Sequence, residues 1–487
     1  MNYDSIVIGS GVSGLTGALL LAQKGHKVAL IEKDKKLAPL LRRFSRKNKW
    51  CDPGFHYSGG FTKSGTLSVI FRYMGLRSLI NTVEFDSKGF DRLRLDEDEI
   101  LIPHGYHHLQ EVLNTTFPQD KNAIQFYLDL VAEVISQTPF FNFDLNPNSF
   151  PENPLVLESL DTVLSRAGAE VRLKNFLGEY GQILYGASGA EVPFYIHAMT
   201  LGSYYNKPHL LEQGGDSIVN AFKQRIKEEN IDVYSNSVAT EIIIDNNRRL
   251  TGVKVTTTGN RSQNSSEVLS CENCISTIHP ELLADLIPTR AVRPAFHKKL
   301  RQVENTSGVF VLFLGLQEKP EQINRTNYYI LPDQNTLPEE ALSFMSCAGE
   351  DKSLCLLRCH PQYANEYTSQ NNTNPASYQQ YKNYMIQDTL SLLEQYLPGL
   401  KGKYELLDCA TPQTYQRYTG TPRGSMYGVK KTINQTTIGI DTSIRGLFLA
   451  GQSTLMPGVM SSVISGFLSA AKIIDMDLIW DELVKCR

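Results

Sequence analysis

The feature that most constrains the fold is a glycine-rich turn close to the start of the chain, Gly9-Ser10-Gly11-Val12-Ser13-Gly14. The apolar run Tyr3 to Ile8 precedes it, residues of helical composition follow it, and a second apolar run ends at Glu32. Strand, tight turn, helix and strand within about thirty residues predict the βαβ unit that binds a dinucleotide. In this unit the first glycine permits the turn, the second lets the backbone approach a pyrophosphate, and the third lets helix and strand pack closely. The alternative is a glycine-rich turn in an α/β unit that binds no nucleotide.

The residues around this turn also indicate which dinucleotide would fit. The helix N-terminus offers free N–H groups and a partial positive charge to phosphates. Glu32, with Lys33 beside it, is expected to accept hydrogen bonds from ribose hydroxyls. Because its carboxylate repels a 2′-phosphate, the site favours FAD or NAD over NADP.

A second glycine-containing cluster lies near the other end of the chain. Gly451-Gln452 follows the predicted strand Gly446 to Ala450, and Pro457-Gly458-Val459-Met460 opens a predicted helix. Because a NAD site is complete within one contiguous domain, a second cluster favours FAD. The alternative is an ordinary helix start that is capped by Ser461 or Ser462.

Composition excludes several other classes of protein. The 487 residues carry 48 Lys and Arg against 51 Asp and Glu, so the net charge of −3 provides no field that would attract nucleic acid. No run of about eighteen apolar residues is present, so we expect no membrane-spanning helix. The thinly spread cysteines are typical of reduced thiols and predict a cytoplasmic protein.

Metal-ligand residue types occur without a matching pattern. Cys271-Glu272-Asn273-Cys274 lacks the second pair that a zinc site needs. His104, His107 and His108 follow a turn and are interpreted as a surface loop, with a metal triad as the alternative. We therefore predict no metal.

Four more segments, taken with the two glycine clusters, make the chain resemble a known family. They are Cys51-Asp52-Pro53-Gly54-Phe55-His56-Tyr57-Ser58-Gly59; Pro193-Phe194 with His197-Ala198, Tyr205 and Gly214-Gly215; Thr411-Pro412 with Thr419 to Gly428; and Gly446 to Gln452. The family is that of the FAD-dependent oxidoreductases that include phytoene desaturase, carotenoid isomerase and retinol saturase. The resemblance runs nearly end to end and is closest to the retinol saturase and carotenoid isomerase branch.

The resemblance implies an α/β fold with a Rossmann-like FAD-binding domain in three layers, of the GR2 type, and an inserted α+β substrate domain with a mixed sheet. The FAD-binding domain would comprise residues 1–85, 210–290 and 410–487. The substrate-binding domain would comprise residues 86–209 and 291–409. Val238, in the predicted strand Ile231 to Ile244, would offer its backbone to the adenine.

The resemblance also implies the chemistry. Family members saturate, desaturate or isomerise C=C bonds of apolar polyenes, carotenoids, retinoids or other isoprenoid lipids. The expected cofactor is noncovalent FAD, NAD(P)H is one candidate electron donor, and the expected partner is an apolar lipid. An amine-oxidase-type enzyme with a polar substrate, or a non-catalytic flavin-binding protein, is the alternative. The sequence does not indicate the oligomeric state.

The candidate catalytic residues lie in the resembling segments and are His56, Tyr57, Arg423 and Tyr427. Two positions depart from the family pattern. Ala38-Pro39 stands where Gly-Gly often follows the second strand, and Arg42 with Arg43 is expected to compensate. Ser453 stands where an acidic residue often follows Gly-Gln.

A water-insoluble substrate implies contact with a membrane surface. The basic stretch Arg42 to Lys49 is one candidate surface, because Lys and Arg attract anionic headgroups. The aromatic loop Phe140 to Phe150 is the other. Peripheral membrane association is therefore expected in addition to the cytoplasmic location.

Overall fold

The computed structural model describes residues 1–148, 155, 157–258, 264–332, 344–346, 352–359, 375–435 and 438–487. Within these ranges the strands, in chain order, are β1 Ser5–Ile8, β2 Val28–Ile31, β3 Phe44–Arg46, β4 Lys49–Cys51, β5 Thr82–Glu84, β6 Asp91–Leu95, β7 Asp98–Ile102, β8 His209–Leu211, β9 Asp232–Tyr234, β10 Ser237–Ile244, β11 Leu250–Thr258, β12 Asn264–Ser270, β13 Asn273–Ser276, β14 Val309–Leu316, β15 Asn327–Ile330, β16 Phe344–Ser346, β17 Ser353–Cys359, β18 Tyr404–Ala410 and β19 Leu447–Leu449.

The α-helices of the same ranges are α1 Val12–Gln23, α2 Thr66–Tyr73, α3 Tyr106–Thr116, α4 Lys121–Ser136, α5 Leu160–Arg166, α6 Val171–Tyr185, α7 Phe194–Asn206, α8 Gly215–Glu228, α9 Pro280–Leu286, α10 Pro294–Arg301, α11 Pro375–Tyr396, α12 Pro412–Thr419, α13 Val459–Ala471 and α14 Met476–Val484. In the described part of the chain, no helix is both long and apolar enough to cross a bilayer.

A five-stranded parallel sheet holds the two ends of the chain together. Its order is β19-β13-β1-β2-β9, so the last strand and the first belong to one sheet. Alternate side chains of β1 point to opposite faces, as strand geometry requires. Val7 packs among helices α1, α2, α8 and α13, while Ile6 packs against the antiparallel meander β10-β11-β12. The predicted three-layer, Rossmann-like arrangement is confirmed.

A seven-stranded sheet forms a second, separate layer of strands. Its order is β18-β14-β17-β16-β15-β6-β7, and the β15–β6 pair is parallel while the other neighbours are antiparallel. The predicted mixed sheet is therefore confirmed. Helices α3 to α7 cover the end of this sheet that contains β6 and β7, and they bury an apolar cluster with it. Helix α11 covers the central strands.

One predicted strand is wrong in its extent. Ile231 to Ile244 is not continuous, because Asn236 adopts a positive φ of 51° and the chain turns there. The part before the turn, β9, joins the parallel sheet, and the part after it, β10, joins the meander. Alternation of β-branched residues predicted the strands but gave no sign of the turn between two sheets. Residues 259–263 of the adjoining loop lie outside the described residues.

Candidate active site

The glycine-rich turn has a distinct geometry at each of its three glycines. Gly9 has a φ of 96°, which disfavours any other residue. A Cβ atom on Gly14 would overlap the carbonyl oxygen of Gly9, so helix and strand could not pack as they do. A Cβ atom on Gly11, in contrast, would meet no atom of the described residues within 4 Å. Gly11 therefore faces open space, which leaves room for a ligand to approach the backbone.

Helix α1 begins at this open space without a side-chain cap. Its N-cap residue is Gly11, which has no side chain to accept from the first turn. The first N–H groups of a helix have no acceptor within the helix and carry a partial positive charge. An anionic group such as a phosphate fits there on both counts.

Glu32 is buried and anchors the same turn. Its Oε2 accepts hydrogen bonds from the backbone N–H of Ser10, at 3.0 Å, and from the Ser10 hydroxyl. Its Oε1 accepts from the backbone N–H of Asp34, at 2.8 Å. The sequence predicted a ribose ligand at this position. The structure adds a second role, because the carboxylate holds the loop after β2 against the glycine-rich turn.

The loop after β2 accounts for the first departure from the family pattern. Ala38 has a φ of 50°, which is the left-handed conformation that glycine adopts most easily. Its backbone N–H donates to the Ser10 hydroxyl at 2.9 Å. Arg42 pairs with Asp34 through its terminal nitrogen, and its buried Nε has no partner among the described residues. That orphaned donor fits an anionic group. Lys33 instead donates from Nζ to the carbonyl of Arg417, at 2.8 Å, and burial lowers its pKa.

The second glycine cluster forms an equivalent helix start. Helix α13 begins at Val459, with Gly458 as its N-cap at a φ of 95°, and no side chain caps it. The proposed cap by Ser461 or Ser462 is therefore wrong, since both lie inside the helix and are buried. A Cβ atom on Gly458 would meet no protein atom within 4 Å. The N–H groups of Val459 and Met460 thus have no acceptor within the helix and border a second stretch of open space.

The two glycine clusters belong to one site. Helices α1 and α13 pack so closely that a Cβ atom on Gly466 would overlap the carbonyl oxygen of Ser13. A Cβ atom on Gly451 would lie 3.6 Å from the carbonyl oxygen of Thr277, and the hydroxyl of the same threonine lies 3.3 Å from the carbonyl oxygen of Gly9. Clusters from opposite ends of the sequence therefore meet at the carboxyl ends of the parallel strands, where open α/β sheets bind ligands.

The segment that carries His56 and Tyr57 reaches the start of α13. A Cβ atom on Gly60 would lie 2.9 Å from the sulfur of Met460, in the first turn of α13. Tyr57 is buried, and its hydroxyl donates to Asp91 at 2.7 Å. Burial lowers the pKa of His56 to about 4, so its ring is neutral at physiological pH.

The segment that carries Arg423 and Tyr427 approaches from another side. A Cβ atom on Gly428 would overlap the Ser453 hydroxyl, so this turn lies directly on the residues after Gly451-Gln452. The Tyr427 hydroxyl donates to the carbonyl of Ile183 in α6, at 2.7 Å. Arg423 is exposed and has a positive φ of 54°. Tyr427 is thus held in place, whereas the Arg423 side chain extends into open space.

Val238 lies beside the end of the nucleotide-binding strand. The backbone N–H of Ser237 donates to the carbonyl of Glu32 at 2.9 Å, and Val238 follows it in β10 with its side chain 44% exposed. Its position is compatible with the predicted backbone contact to an adenine.

Lys431 is a feature that sequence reasoning missed. Its side chain is buried, and Nζ donates to the carbonyl oxygens of Ser453, at 2.7 Å, and Thr454, at 3.3 Å. Burial lowers its pKa to about 8. The ammonium group therefore holds the loop between Gly451 and Gly458 from behind. A lysine in a polar stretch gives no sequence signal of burial.

The structure changes the physical character of both candidate membrane-contact surfaces, and membrane contact itself stays a prediction. In the basic stretch, Arg43 pairs with Asp216, Arg46 with Asp408 and Lys47 with Glu405, which offsets much of its charge. In the aromatic loop, Phe140 and Phe143 are buried against Trp480. Residues 149 and 150 of that loop lie outside the described residues.

The histidines of the predicted surface loop are placed at the start of α3. His107, His108 and Glu111 are exposed there, and one ligand atom of each lies within 4.8 Å of the others. His104 is not part of this group; its Nε2 contacts the carbonyl of Asp86 at 3.1 Å.

Comparison with known proteins gives a family-model match and several sequence relatives. Residues 7–74 match the family model of an NAD(P)-binding Rossmann-like domain. The chain is 22% identical to all-trans-retinol 13,14-reductase of Danio rerio, covering 97% of this chain and 86% of the relative. It is 21% identical to the chloroplastic prolycopene isomerase of Daucus carota, covering 97% and 80%. A further Danio rerio relative, 21% identical over 99% and 88%, is named inactive all-trans-retinol 13,14-reductase.

Solved structures show the same fold. An oxidoreductase from Methanosarcina mazei has a TM-score of 0.67 and 14% identity, covering 96% of this chain and 99% of that one. Putrescine oxidase bound to putrescine has a TM-score of 0.60 and 13% identity, covering 97% and 99%. At these identities the likeness concerns the fold alone.

The fold, the two uncapped helix starts and the relatives together define an oxidoreductase with a Rossmann-like nucleotide-binding domain. Within that class, the chain is a homologue of the retinol saturase and carotenoid isomerase branch over nearly its whole length, as its sequence predicted.

Proposed function

We propose that this protein binds FAD noncovalently and acts on a C=C bond of an apolar polyene, retinoid or other isoprenoid lipid. The observation that carries the proposal is a pair of uncapped helix starts, at Gly11 and Gly458, which belong to two helices in contact and which each face open space. The names of the relatives, a retinol reductase and a prolycopene isomerase, supply the substrate class. The amine-oxidase alternative has only a shared fold in its favour.

The two glycine clusters would bind different parts of the cofactor. The start of α1 with Gly11, and the free Nε of Arg42, would hold the pyrophosphate, and Glu32 the adjacent ribose. The start of α13 would approach the flavin ring, whose reduced form carries negative charge that a helix N-terminus stabilises. We infer noncovalent binding because the first turn of α13 contains Val, Met and Ser, none of which forms the Cys, His or Tyr linkage of covalent flavins.

The substrate would lie on the side formed by His56, Tyr57 and Tyr427. A bound flavin supplies hydride transfer to or from one carbon of the double bond. The aromatic rings that contact Tyr57, which are those of Phe85, Phe90 and Tyr204, would exclude water and orient the polyene. We propose the division into a FAD-binding domain of residues 1–85, 210–290 and 410–487 and a substrate domain of residues 86–209 and 291–409, since the two large sheets fall on either side of it.

We further propose NAD(P)H as the electron donor for reduction and peripheral membrane contact for uptake of an insoluble substrate. Ion pairs in the basic stretch and burial of Phe140 and Phe143 reduce what the two candidate surfaces offer to a membrane, so flotation with neutral and anionic liposomes is the direct measurement. A protein that never floats with either kind of liposome contradicts the membrane proposal.

The proposed function is tested on the purified protein. We expect FAD-like absorbance and release of the chromophore on acid precipitation. We also expect either reoxidation of the photoreduced protein by all-trans-retinol or isomerisation of prolycopene, which leaves the protein reduced, with the product identified by chromatography. Putrescine, mixed with the oxidised protein, is the control for the amine-oxidase alternative, and FAD bleaching by putrescine would favour it. Bound FAD without hydrogen transfer or isomerisation of any polyene would favour a non-catalytic protein.

A further inference from the structure

A buried carboxyl lies behind the candidate substrate side of the site. Asp91, the first residue of β6, is fully buried. Its Oδ2 accepts hydrogen bonds from the hydroxyls of Tyr57, at 2.7 Å, and Tyr180, at 2.6 Å. Its Oδ1 accepts from the side-chain amide of Asn327, at 2.8 Å. These three partners are neutral, so hydrogen bonds rather than an opposite charge hold the carboxyl.

More phenols surround this carboxyl on the remaining sides. The hydroxyl of Tyr329, from β15, lies 2.8 Å from that of Tyr57, and the ring of Tyr204, from α7, lies 4.9 Å from the Tyr57 ring. Burial raises the pKa of Asp91 to about 6, while the hydrogen bonds from Tyr180, Asn327 and Tyr57 act in the opposite direction. Both protonation states of Asp91 are therefore accessible close to neutral pH.

The cluster is continuous with the candidate active site. Tyr57 lies three residues before Gly60, which contacts Met460 at the start of α13. Tyr57 also shares its apolar cluster with Met456, in the loop that leads into that helix. On the other side, the proximity of Tyr427 contributes to the raised pKa of Tyr329, after burial and Asp91. Tyr57 is thus the member of the cluster that connects the buried carboxyl to the site.

We propose that Asp91 is the proton reservoir for Tyr57, and that Tyr57 gives this proton to the substrate when its double bond is reduced. The inference rests on the proposed function. Reduction adds a hydride, which brings both electrons and which a bound reduced flavin would supply, to one carbon. The other carbon takes the proton of the Tyr57 hydroxyl, whose O–H electron pair stays on oxygen. The carboxylic acid of Asp91 then returns a proton to that oxygen, and the carboxylate is reprotonated from solvent.

The hydrogen-bond pattern explains how Asp91 would act through Tyr57. While Asp91 is ionised, Tyr57 donates its hydrogen to Oδ2 and does not offer it to a substrate. When Oδ2 carries a proton, one of its two phenol partners must turn to accept it. In this proposal Tyr57 is the phenol that turns, and its hydrogen is released towards the site. Asp91 is thus a positioning residue, and the rate of reduction should depend on its protonation.

A second buried cluster provides the matched control. His197 is fully buried between the hydroxyls of Tyr127, at 2.8 Å, and Tyr185, at 3.0 Å. Buried phenols surround His197 as they surround Asp91, but among the described residues no carboxyl group is a hydrogen-bond partner of His197. Tyr127→Phe therefore removes a buried phenol of equal size without touching the proposed relay.

The experiment measures the reduction of all-trans-retinol in detergent micelles by photoreduced, FAD-loaded protein across a range of pH. For the wild type we expect the rate to fall as pH rises through about 6. Tyr180→Phe removes a hydrogen bond that stabilises the carboxylate, so the fall should move to higher pH. Asp91→Asn and Tyr57→Phe should slow the reaction about a hundredfold or more and lose this pH dependence, as expected for general acid catalysis. Tyr127→Phe should keep the wild-type profile.

Infrared difference titration of the apoprotein provides a readout without substrate. The band of the protonated Asp91 carboxyl, identified by its loss in Asp91→Asn, should titrate at higher pH in Tyr57→Phe and Tyr180→Phe, and unchanged in Tyr127→Phe. If the Asp91 carboxyl titrates as in the wild type in both Tyr57→Phe and Tyr180→Phe, the inference is overturned. It is also overturned if a folded Asp91→Asn protein reduces retinol at the wild-type rate with the wild-type pH dependence. A wild type that binds FAD but never reduces retinol counts against the proposed function instead, while the titration still judges the Asp91–Tyr57 coupling.

Discussion

Replacement of Gly11 by valine should abolish FAD binding while leaving the fold intact. The backbone at Gly11 has a φ of −57° and a ψ of 166°, which any residue adopts without strain, and a Cβ atom there meets no protein atom within 4 Å. The new side chain would instead fill the space in front of the α1 N-terminus. If it prevents two hydrogen bonds to a charged phosphate, each worth about 1.5–3 kcal/mol, binding weakens by about 3–6 kcal/mol, or roughly 10²–10⁴-fold.

The measurement is a titration of the apoprotein with FAD, paired with its chemical unfolding. Gly14→Ala is the contrasting variant, since its Cβ atom would overlap the Gly9 carbonyl oxygen and should lower the free energy of unfolding itself. Gly399→Ala, at a position without protein atoms within 4 Å, is the neutral control. A Gly11→Val protein with wild-type affinity for FAD would show that the open space is not the phosphate site.

Three further outcomes follow from buried polar groups. Glu32→Ala leaves the Ser10 and Asp34 N–H groups without an acceptor, so the unfolding free energy of the apoprotein should fall by about 1–3 kcal/mol per group. Glu32→Gln should lose less, because its amide oxygen can still accept a hydrogen bond. Equal stability of the wild type, Glu32→Ala and Glu32→Gln would contradict this prediction. Burial lowers the pKa of His197 to about 3, so on acidification the histidine of the unfolded state is protonated before that of the folded state. The free energy of unfolding should therefore fall as pH drops from 6.5 towards 3. In His197→Gln the free energy of unfolding should depend less steeply on pH. Lys431, with a pKa lowered to about 8, should make stability rise between pH 8 and 10.5, and Lys431→Met should remove that rise; an unchanged slope in Lys431→Met would refute the assignment.

The sequence predicted the parts of the fold that depend on local spacing. The glycines before Gly14 and the apolar runs on either side predicted β1, α1 and β2, because turn geometry and strand burial act over a few residues. Helix α13 was likewise predicted from Pro457-Gly458. The mixed sheet and the three layers came from the family resemblance, since pairing between distant strands leaves no local pattern.

The sequence could not predict which charged groups the fold neutralises. Arg43, Arg46 and Lys47 form one basic stretch in the sequence, but their acidic partners lie at 216, 408 and 405, far along the chain. For the same reason the sequence gives no sign of the hydrogen bonds of Asp91, because its phenol partners come from other elements. Burial of a polar group is a property of the tertiary contacts, so composition and spacing do not reveal it.

The departure at Ala38 shows how a site can keep its geometry without the usual residue. A non-glycine residue in the left-handed region costs about 1–3 kcal/mol, so the surrounding contacts must hold it there. Ala38 donates to the Ser10 hydroxyl, and that hydroxyl donates to Glu32, so one chain of hydrogen bonds joins the strained residue to the end of β2. Gly11 is the next residue after Ser10. The conformation that glycine would adopt freely is therefore imposed here by the same contacts that position the phosphate-facing turn.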